Sequence, residues 1–404
     1  MDNSPDNPEE KMATRKIKIS PWVNTLLTLC AILISATVLY LYISGYRVKT
    51  DEDKIDLTQT GMVSAKSIPE GASVYLDDIL LTATDDAISG INPGKHNLKI
   101  AKKGYVEWTK EIEVFVDLVT DITAVLVSQT TRLEPLTNTG ARFPSMSPSL
   151  TKVAYFSTDP ADPGVVIIPL AQSGLNIFKG GVTTTIEDTI RTKYSEGNAI
   201  SWSPDEKTIL ITNDLSEGQV PNHYLIDLAA DTIETTESMA AVEEDWAAKI
   251  ENKRLTFLEK TEIPEQLKPL AVSNKSLWAP DDKKFLYTIQ SGDDLEYHVY
   301  NLEKPLPIGE EIDNLTFTTN IKGPQPKVSW YADSFHLILV EGDVETNRQG
   351  AISLIRIDGS NKIEVYSNTL YSDRVFSSPN GEKLIILTSL KSGDQTDLYT
   401  IGIR

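Results

Sequence analysis

Five stretches of this chain repeat one pattern, and the repetition limits the fold more than any other feature. They are PSMSPSLTKVAYFS (144–157), ISWSPDEKTILITN (200–213), LWAPDDKKFLYTIQ (277–290), SWYADSFHLILVEG (329–342) and VFSSPNGEKLIILTS (375–389). Each has a short apolar lead, a Ser/Ala-Pro-Asp type of turn and an apolar run. Proline presets φ for a type I turn, and the following Asp or Asn can bond the local backbone. A second strand-like run follows each stretch: VVIIPL, NHYLIDL, EYHVYNL, AISLIRI and DLYTIGI. A further run, LNIFKG (175–180), DTIETT (231–236), NLTFTT (314–319) or NKIEVYS (361–367), closes all but the last. Four strands per repeat is the layout of a propeller blade, so residues 131–404 are expected to form a β-propeller. The final repeat lacks an outer strand. RLEPLT (132–137) is expected to supply it, which closes the ring and hides both edges.

The interval from Trp202 to Trp278 is too long for one blade by roughly half a repeat, against a usual period of about 40–50 residues. It contains TESMAAVEEDWAAKIENKR, in which Met239, Val242, Trp246 and Ile250 share one face at helical spacing. A helical insertion near 237–254 is expected, with Trp246 as a packing anchor rather than a docking site. RLTFLEK (254–260) leaves a degenerate sixth blade open beside the expected five.

A second constraint lies near the N-terminus. Trp22 to Ile43, WVNTLLTLCAILISATVLYLYI, carries no charge. As a helix it would measure about 33 Å, enough to cross the hydrocarbon core of a bilayer. The run is long for a secretory signal, and SGYRVKT after it offers no A-x-A cleavage pattern. Cys30 lies mid-run without the small residues that precede a lipidated cysteine. An uncleaved single-pass anchor is expected. Lys11, Arg15, Lys16 and Lys18 precede it, whereas Arg47 and Lys49 are soon followed by Asp51, Glu52 and Asp53. The positive-inside rule then places residues 1–20, read as a disordered tail, in the cytoplasm, and everything beyond the anchor outside. Residues 47–60 read as a charged juxtamembrane linker.

From Met62 to Val127 short alternating runs are separated by Pro69, Gly71, Asn92-Pro93-Gly94 and Gly104, which predicts a small all-β sandwich over 61–128. Ile68-Pro69-Glu70-Gly71-Ala72-Ser73-Val74-Tyr75, then Ile91-Asn92-Pro93-Gly94 and Lys103-Gly104-Tyr105, resemble the PEGA domain. Asp78-Ile79-Leu80 stands where that family often has a glycine turn, so an altered hairpin is expected. Physically these positions read as scaffold: Pro69 and Gly71 set a bend, Gly94 a tight turn, and Tyr105 packs on the sheet. The resemblance implies an envelope or surface module without established catalysis. The repeats around Trp202-Ser203-Pro204-Asp205, Trp278-Ala279-Pro280-Asp281, Trp330 and Pro379 resemble the TolB-like, WD40-like propeller family. Such propellers also stand before prolyl-peptidase catalytic domains, but no hydrolase domain is expected here.

The formal charge is −20, and the acids and bases of the first twenty residues cancel, so the excess belongs to the part beyond the anchor. Such a surface repels nucleic acid and keeps a domain soluble. Cys30 is the sole cysteine, so no internal disulfide forms. No G-x-S-x-G, H-E-x-x-H, P-loop or EF-hand pattern occurs, and His96, His223, His298 and His336 are scattered over different elements. Acid pairs such as Asp281-Asp282 and Asp293-Asp294 sit in turns. No catalytic, cofactor or metal residue is therefore assigned. The expectation is a membrane-anchored, extracytoplasmic, non-catalytic binding or scaffolding protein that meets an envelope protein or glycan. The alternatives are a glycan hydrolase or lyase with acids spread over separate loops, and a sensor.

Overall fold

The computed structural model describes residues 21–43, 46–51, 54–170, 183–213, 223–390 and 395–404, with the backbone alone at 21, 47–51 and 54–58. The tail 1–20 and the run LNIFKG lie outside the described residues.

Helix α1 spans Pro21–Ile43, and every side chain described along it except Leu41 is exposed. Its polar residues turn back on their own helix: Thr28 Oγ1 donates to the Asn24 carbonyl (3.0 Å) and Thr37 Oγ1 to that of Leu33 (2.8 Å). An apolar medium therefore meets no unsatisfied hydroxyl at these positions. The segment expected as a linker is instead an antiparallel ladder, β1 (Tyr46–Asp51) on β2 (Lys54–Gln59). Alternation in YRVKTD and KIDLTQ supports pairing that a count of charges alone conceals.

The next unit is a sandwich of two sheets. One has the order β6-β3-β9, with β3 (Gly61–Ile68) parallel to β9 (Val119–Val125) and antiparallel to β6 (Asp86–Ile91). The other has the order β5-β4-β7-β8, formed by Ile79–Ala83, Ser73–Leu76, Gly94–Ala101 and Trp108–Val114. The burial of β3 alternates along its length, and Val63, Ala65, Val74, Leu98, Ile100, Trp108 and Ile122 meet between the sheets. The hairpin expected to be altered turns on Asp77 and Asp78, both at positive φ (50° and 65°). Two acids thus take the left-handed pair of a type I′ turn, a position Asp tolerates better than most residues.

Five four-stranded antiparallel sheets follow. The first contains β11 (Ala141–Met146), β12 (Lys152–Ser157), β13 (Gly164–Pro169) and β14 (Thr184–Glu187); the second β15 (Ala199–Trp202), β16 (Thr208–Thr212), β17 (His223–Asp227) and β18 (Thr232–Thr236). The third contains β19 (Leu277–Trp278), β20 (Lys284–Ser291), β21 (Asp294–Asn301) and β22 (Asp313–Asn320); the fourth β23 (Lys327–Trp330), β24 (His336–Glu341), β25 (Gln349–Arg356) and β26 (Ile363–Thr369). They begin at Ala141, Ala199, Leu277 and Lys327. The last, with β27 (Phe376–Ser377) and β28 (Lys383–Thr388), is completed from the far end of the domain: its order is β10-β29-β28-β27, where β10 (Leu133–Pro135) pairs with β29 (Asp397–Gly402). The outer strand of the first sheet is Thr184–Glu187, after the run LNIFKG expected in that place.

The five repeat turns share one set of hydrogen bonds. The amides of Leu150, Glu206, Asp282, Ser334 and Gly381 donate to the carbonyls of Ser147, Ser203, Ala279, Tyr331 and Ser378, all within 2.9–3.1 Å. Each donor residue also has positive φ, between 56° and 67°. Only the last is glycine, so the other four adopt a conformation set by the ladder around them. Apolar faces of adjacent sheets form separate cores between the first and second, third and fourth, fourth and fifth, and fifth and first sheets.

In the chain, helix separates the second sheet from the third. The segment RLTFLEK, left open as sixth-blade strand, lies mostly in α2 (Met239–Leu258), which is followed by α3 (Lys268–Val272). Ser238 caps α2 by accepting from the Ala241 amide, and the residues that follow are strong helix formers. Leu258, Ile263, Leu267 and Ala271 pack on Phe285, Tyr287 and Tyr300 of the third sheet. Met239, Val242, Trp246 and Ile250 are the less exposed stripe of α2, and Trp246 is half-buried.

Candidate functional site

The repeat residues serve the ring. Trp202 Nε1 reaches the Ser145 carbonyl of the preceding sheet (3.3 Å), and Trp330 Nε1 reaches that of Leu277 (2.9 Å). Trp278 has the helical segment as its neighbour and donates to the Ala271 carbonyl (2.7 Å). Asp205 accepts from Ser203 Oγ (2.7 Å) beside Pro204. Asp281, beside Pro280, takes the buried ammonium of Lys284 (2.8 Å). Pro379 sits in the turn closed by Gly381 onto Ser378.

The PEGA-like positions are also structural. Ser67 Oγ donates to the Pro69 carbonyl (2.8 Å), Lys102 Nζ donates to that of Glu70, and the fully buried Ala72 donates its amide to Thr84 Oγ1 (2.9 Å). Gly71, Gly94 and Gly104 have φ of 74°, 126° and 88°, and Tyr105 packs against the sandwich core. Expected separately, these residues stay separate; none converges with the propeller turns.

Two features were not read from the sequence. The first is the joint between the modules. Lys110 on β8 places Nζ 2.8 Å from Asp358 and 3.7 Å from Glu310, and Arg356 pairs with both carboxylates. All four side chains are less than a fifth exposed, and the cluster is neutral. Burial works against the Asp358 carboxylate, but Arg356 and Lys110 outweigh it and hold the group well below its ordinary value. Beside it, Asn361 forms two bonds to Thr109: Nδ2 to the carbonyl (3.0 Å) and Oδ1 from the amide (3.2 Å). Val125 and Val127 then enter the core of the fourth and fifth sheets, and the Ser128 amide bonds the Ile403 carbonyl (2.8 Å). Charged residues far apart in sequence carry no signal of pairing, so only their convergence reveals the joint.

The second is a concavity of ≈ 490 Å³ beside the fourth and fifth sheets, lined by residues that include Gln325, Lys327, Asp343, Glu345 and Asp373. A neighbouring hollow of ≈ 570 Å³ shares Gly342 and Asp343 with it. The loop between them is braced, since Asp343 accepts from the Thr346 amide (2.8 Å) and Asn347 Nδ2 (2.7 Å). Polar groups on a braced rim suit recognition of a hydrogen-bonding ligand. Among the described residues no group of three His, Cys, Asp or Glu side chains is arranged to hold a metal.

These features define a two-module β protein: a small sandwich fused to a five-sheet propeller behind an apolar helix. A family model, the PEGA domain, matches residues 60–130. No curated protein matches the sequence. Among solved structures, TolB from Acinetobacter baumannii is 18% identical with a TM-score of 0.26, over 77% of this chain and 60% of that one. The β-propeller domain of the Trilobed protease from Pyrococcus furiosus, described as having an open velcro topology, is 13% identical (TM-score 0.21), over 65% and 68% of the two chains. Pyrococcus horikoshii acylaminoacyl peptidase is 11% identical (TM-score 0.21), over 65% and 38%. This chain therefore spans less than two thirds of the Acinetobacter protein. At such scores the likenesses carry no argument about activity; the propeller assignment rests on the sheet order and the strand that closes it.

Proposed function

We propose that the chain is a membrane-anchored, non-catalytic scaffold of a cell envelope, whose sandwich and propeller present one rigid surface to an envelope protein or glycan. The carrying observation is the joint: a neutral, buried four-charge cluster, an amide lock and a shared apolar core tie the sandwich to the propeller. The apolar α1 fits an anchor, and the basic residues before Trp22 favour a cytoplasmic N-terminus with both modules outside. The braced concavity by Asp343 is the recognition surface.

The test is a photo-crosslinking residue at Glu345 of the full chain, expressed in cells of its own source, with the fully exposed Ile190 as control position. A discrete protein or glycan adduct specific to Glu345 is expected. No adduct, or the same adducts from both positions, counts against the concavity. Cleavage of the captured partner by the purified chain would overturn the non-catalytic reading.

A further inference from the structure

The turn between β8 and β9 is unusually apolar for an exposed loop. Phe115, Val116, Leu118 and Val119 are between 37% and 46% exposed. Asp117 at φ 57° makes the bend, and the Leu118 amide closes it on the Phe115 carbonyl (3.4 Å). The turn is held firmly. The Asp117 amide donates to the Thr60 carbonyl (3.3 Å) and the Met62 amide to that of Leu118 (3.0 Å). A Cβ on Gly61 would lie 2.3 Å from the Phe115 carbonyl oxygen, so the turn lies flush against the backbone there. Exposed apolar side chains on a braced turn are available to an external surface without refolding.

The position of the turn says which surface. Tyr46 pairs with Gln59 at the base of the β1–β2 ladder, and Gln59 Nε2 donates to the Tyr46 hydroxyl (2.9 Å). The ladder therefore returns the chain to where it left α1. Counting three residues from Ile43 to Tyr46, one cross-strand step and two residues to Gly61, the sandwich begins within about 23 Å of the helix end. The Phe115–Val119 turn lies against that first residue. The exit to the propeller, at Val125, is at the far end of β9, roughly 20 Å away.

We propose that Phe115, Val116, Leu118 and Val119 form a second membrane contact, seating the sandwich on the lipid surface that α1 enters. The inference rests on reading α1 as an anchor. The contact fixes the height and tilt of the rigid sandwich–propeller unit above the bilayer, which a single helix does not. Aromatic and aliphatic side chains at a turn suit the headgroup boundary, and Asp117 between them limits the depth.

The test uses the full chain in phosphatidylcholine nanodiscs holding one copy each, with and without nitroxide-bearing lipid. An environment-sensitive fluorophore is placed on Cys30, or, in a Cys30→Ser background, on Leu118→Cys, Val116→Cys or Ile190→Cys. The expected result is loss of most emission with nitroxide lipid for probes at Cys30, Leu118 and Val116, and none at Ile190. Quenching at Cys30 with Leu118 and Val116 behaving like Ile190 overturns the second contact and leaves the anchor. No quenching at any position overturns the anchor, and the contact with it. In a matched set of discs holding two copies, a Leu118 response absent from the one-copy discs shows self-association and also overturns the contact.

Discussion

The hydroxyl of Thr137 donates to Asp397 Oδ1 across 3.0 Å, although the two residues are 260 positions apart. The same oxygen accepts from the Gly140 amide (2.9 Å), and Asp397 is almost fully buried. The clasp therefore holds the strand that closes the last sheet, just where the chain turns into the first.

Asp397→Ala should cost about 2–3 kcal/mol, because it strands a buried hydroxyl and a buried amide together. Asp397→Asn, which keeps one acceptor, should cost less. Urea unfolding gives the magnitude. Hydrogen exchange should quicken first at Tyr399 and Ile401, which lie opposite Pro135 and Leu133. Exchange that quickens evenly around the ring would show that the clasp does not govern closure.

The joint gives a second expectation. Lys110→Met leaves Glu310 and Asp358 to share Arg356, and breaking a buried pair in this way should cost about 3 kcal/mol. Asn361→Ala removes two bonds to Thr109 and should cost about 1–2 kcal/mol. Differential scanning calorimetry should show one transition for the parent chain and a separate sandwich transition for the double variant. A single undivided transition in the double variant would mean that the apolar contact alone unites the modules.

A third expectation concerns pH. His96 Nδ1 lies 2.7 Å from Asp77, and Nε2 lies 2.8 Å from the Asn92 carbonyl. Burial opposes the imidazolium, but Asp77 and the Asn92 carbonyl outweigh it, so the His96 pKa lies above 6.5. The hydrogen bond from His96, with one from the Asn97 amide, holds Asp77 below 3.8. The His96 contribution to stability is full below 6.5 and is lost as pH rises through its raised value. The Asp77 contribution is full above 3.8 and is lost as pH falls through its lowered value. The pair thus supports the sandwich most between those limits. NMR titration should find the His96 resonance midpoint above 6.5 and, in Asp77→Asn, a lower one; an unchanged midpoint would remove Asp77 as the cause.

The apolar run became α1 because it needs no partner to satisfy its backbone. The repeat turns formed where proline, Asp and Asn stood, because turn chemistry acts over four residues. The pairing of Leu133–Pro135 with the final strand was legible too, since an unmatched edge needs a mate and one run was spare. The RLTFLEK segment is ambiguous in sequence, because a short apolar run suits strand or helix equally; in the fold it ends a helix capped at Ser238, with Leu258 packed on the third sheet. The ladder at 46–59 is hidden in the sequence, because its charges mask a period of two. Lys110, Glu310, Arg356 and Asp358 were beyond any reading of the sequence. A charge announces a solvated surface until tertiary structure removes the water, and only folding brings the Asp358–Asn361 turn against the sandwich. Local chemistry therefore determined the elements and their order. Burial, which depends on every other element being in place, decided which polar residues join the modules and which apolar ones remain at the surface.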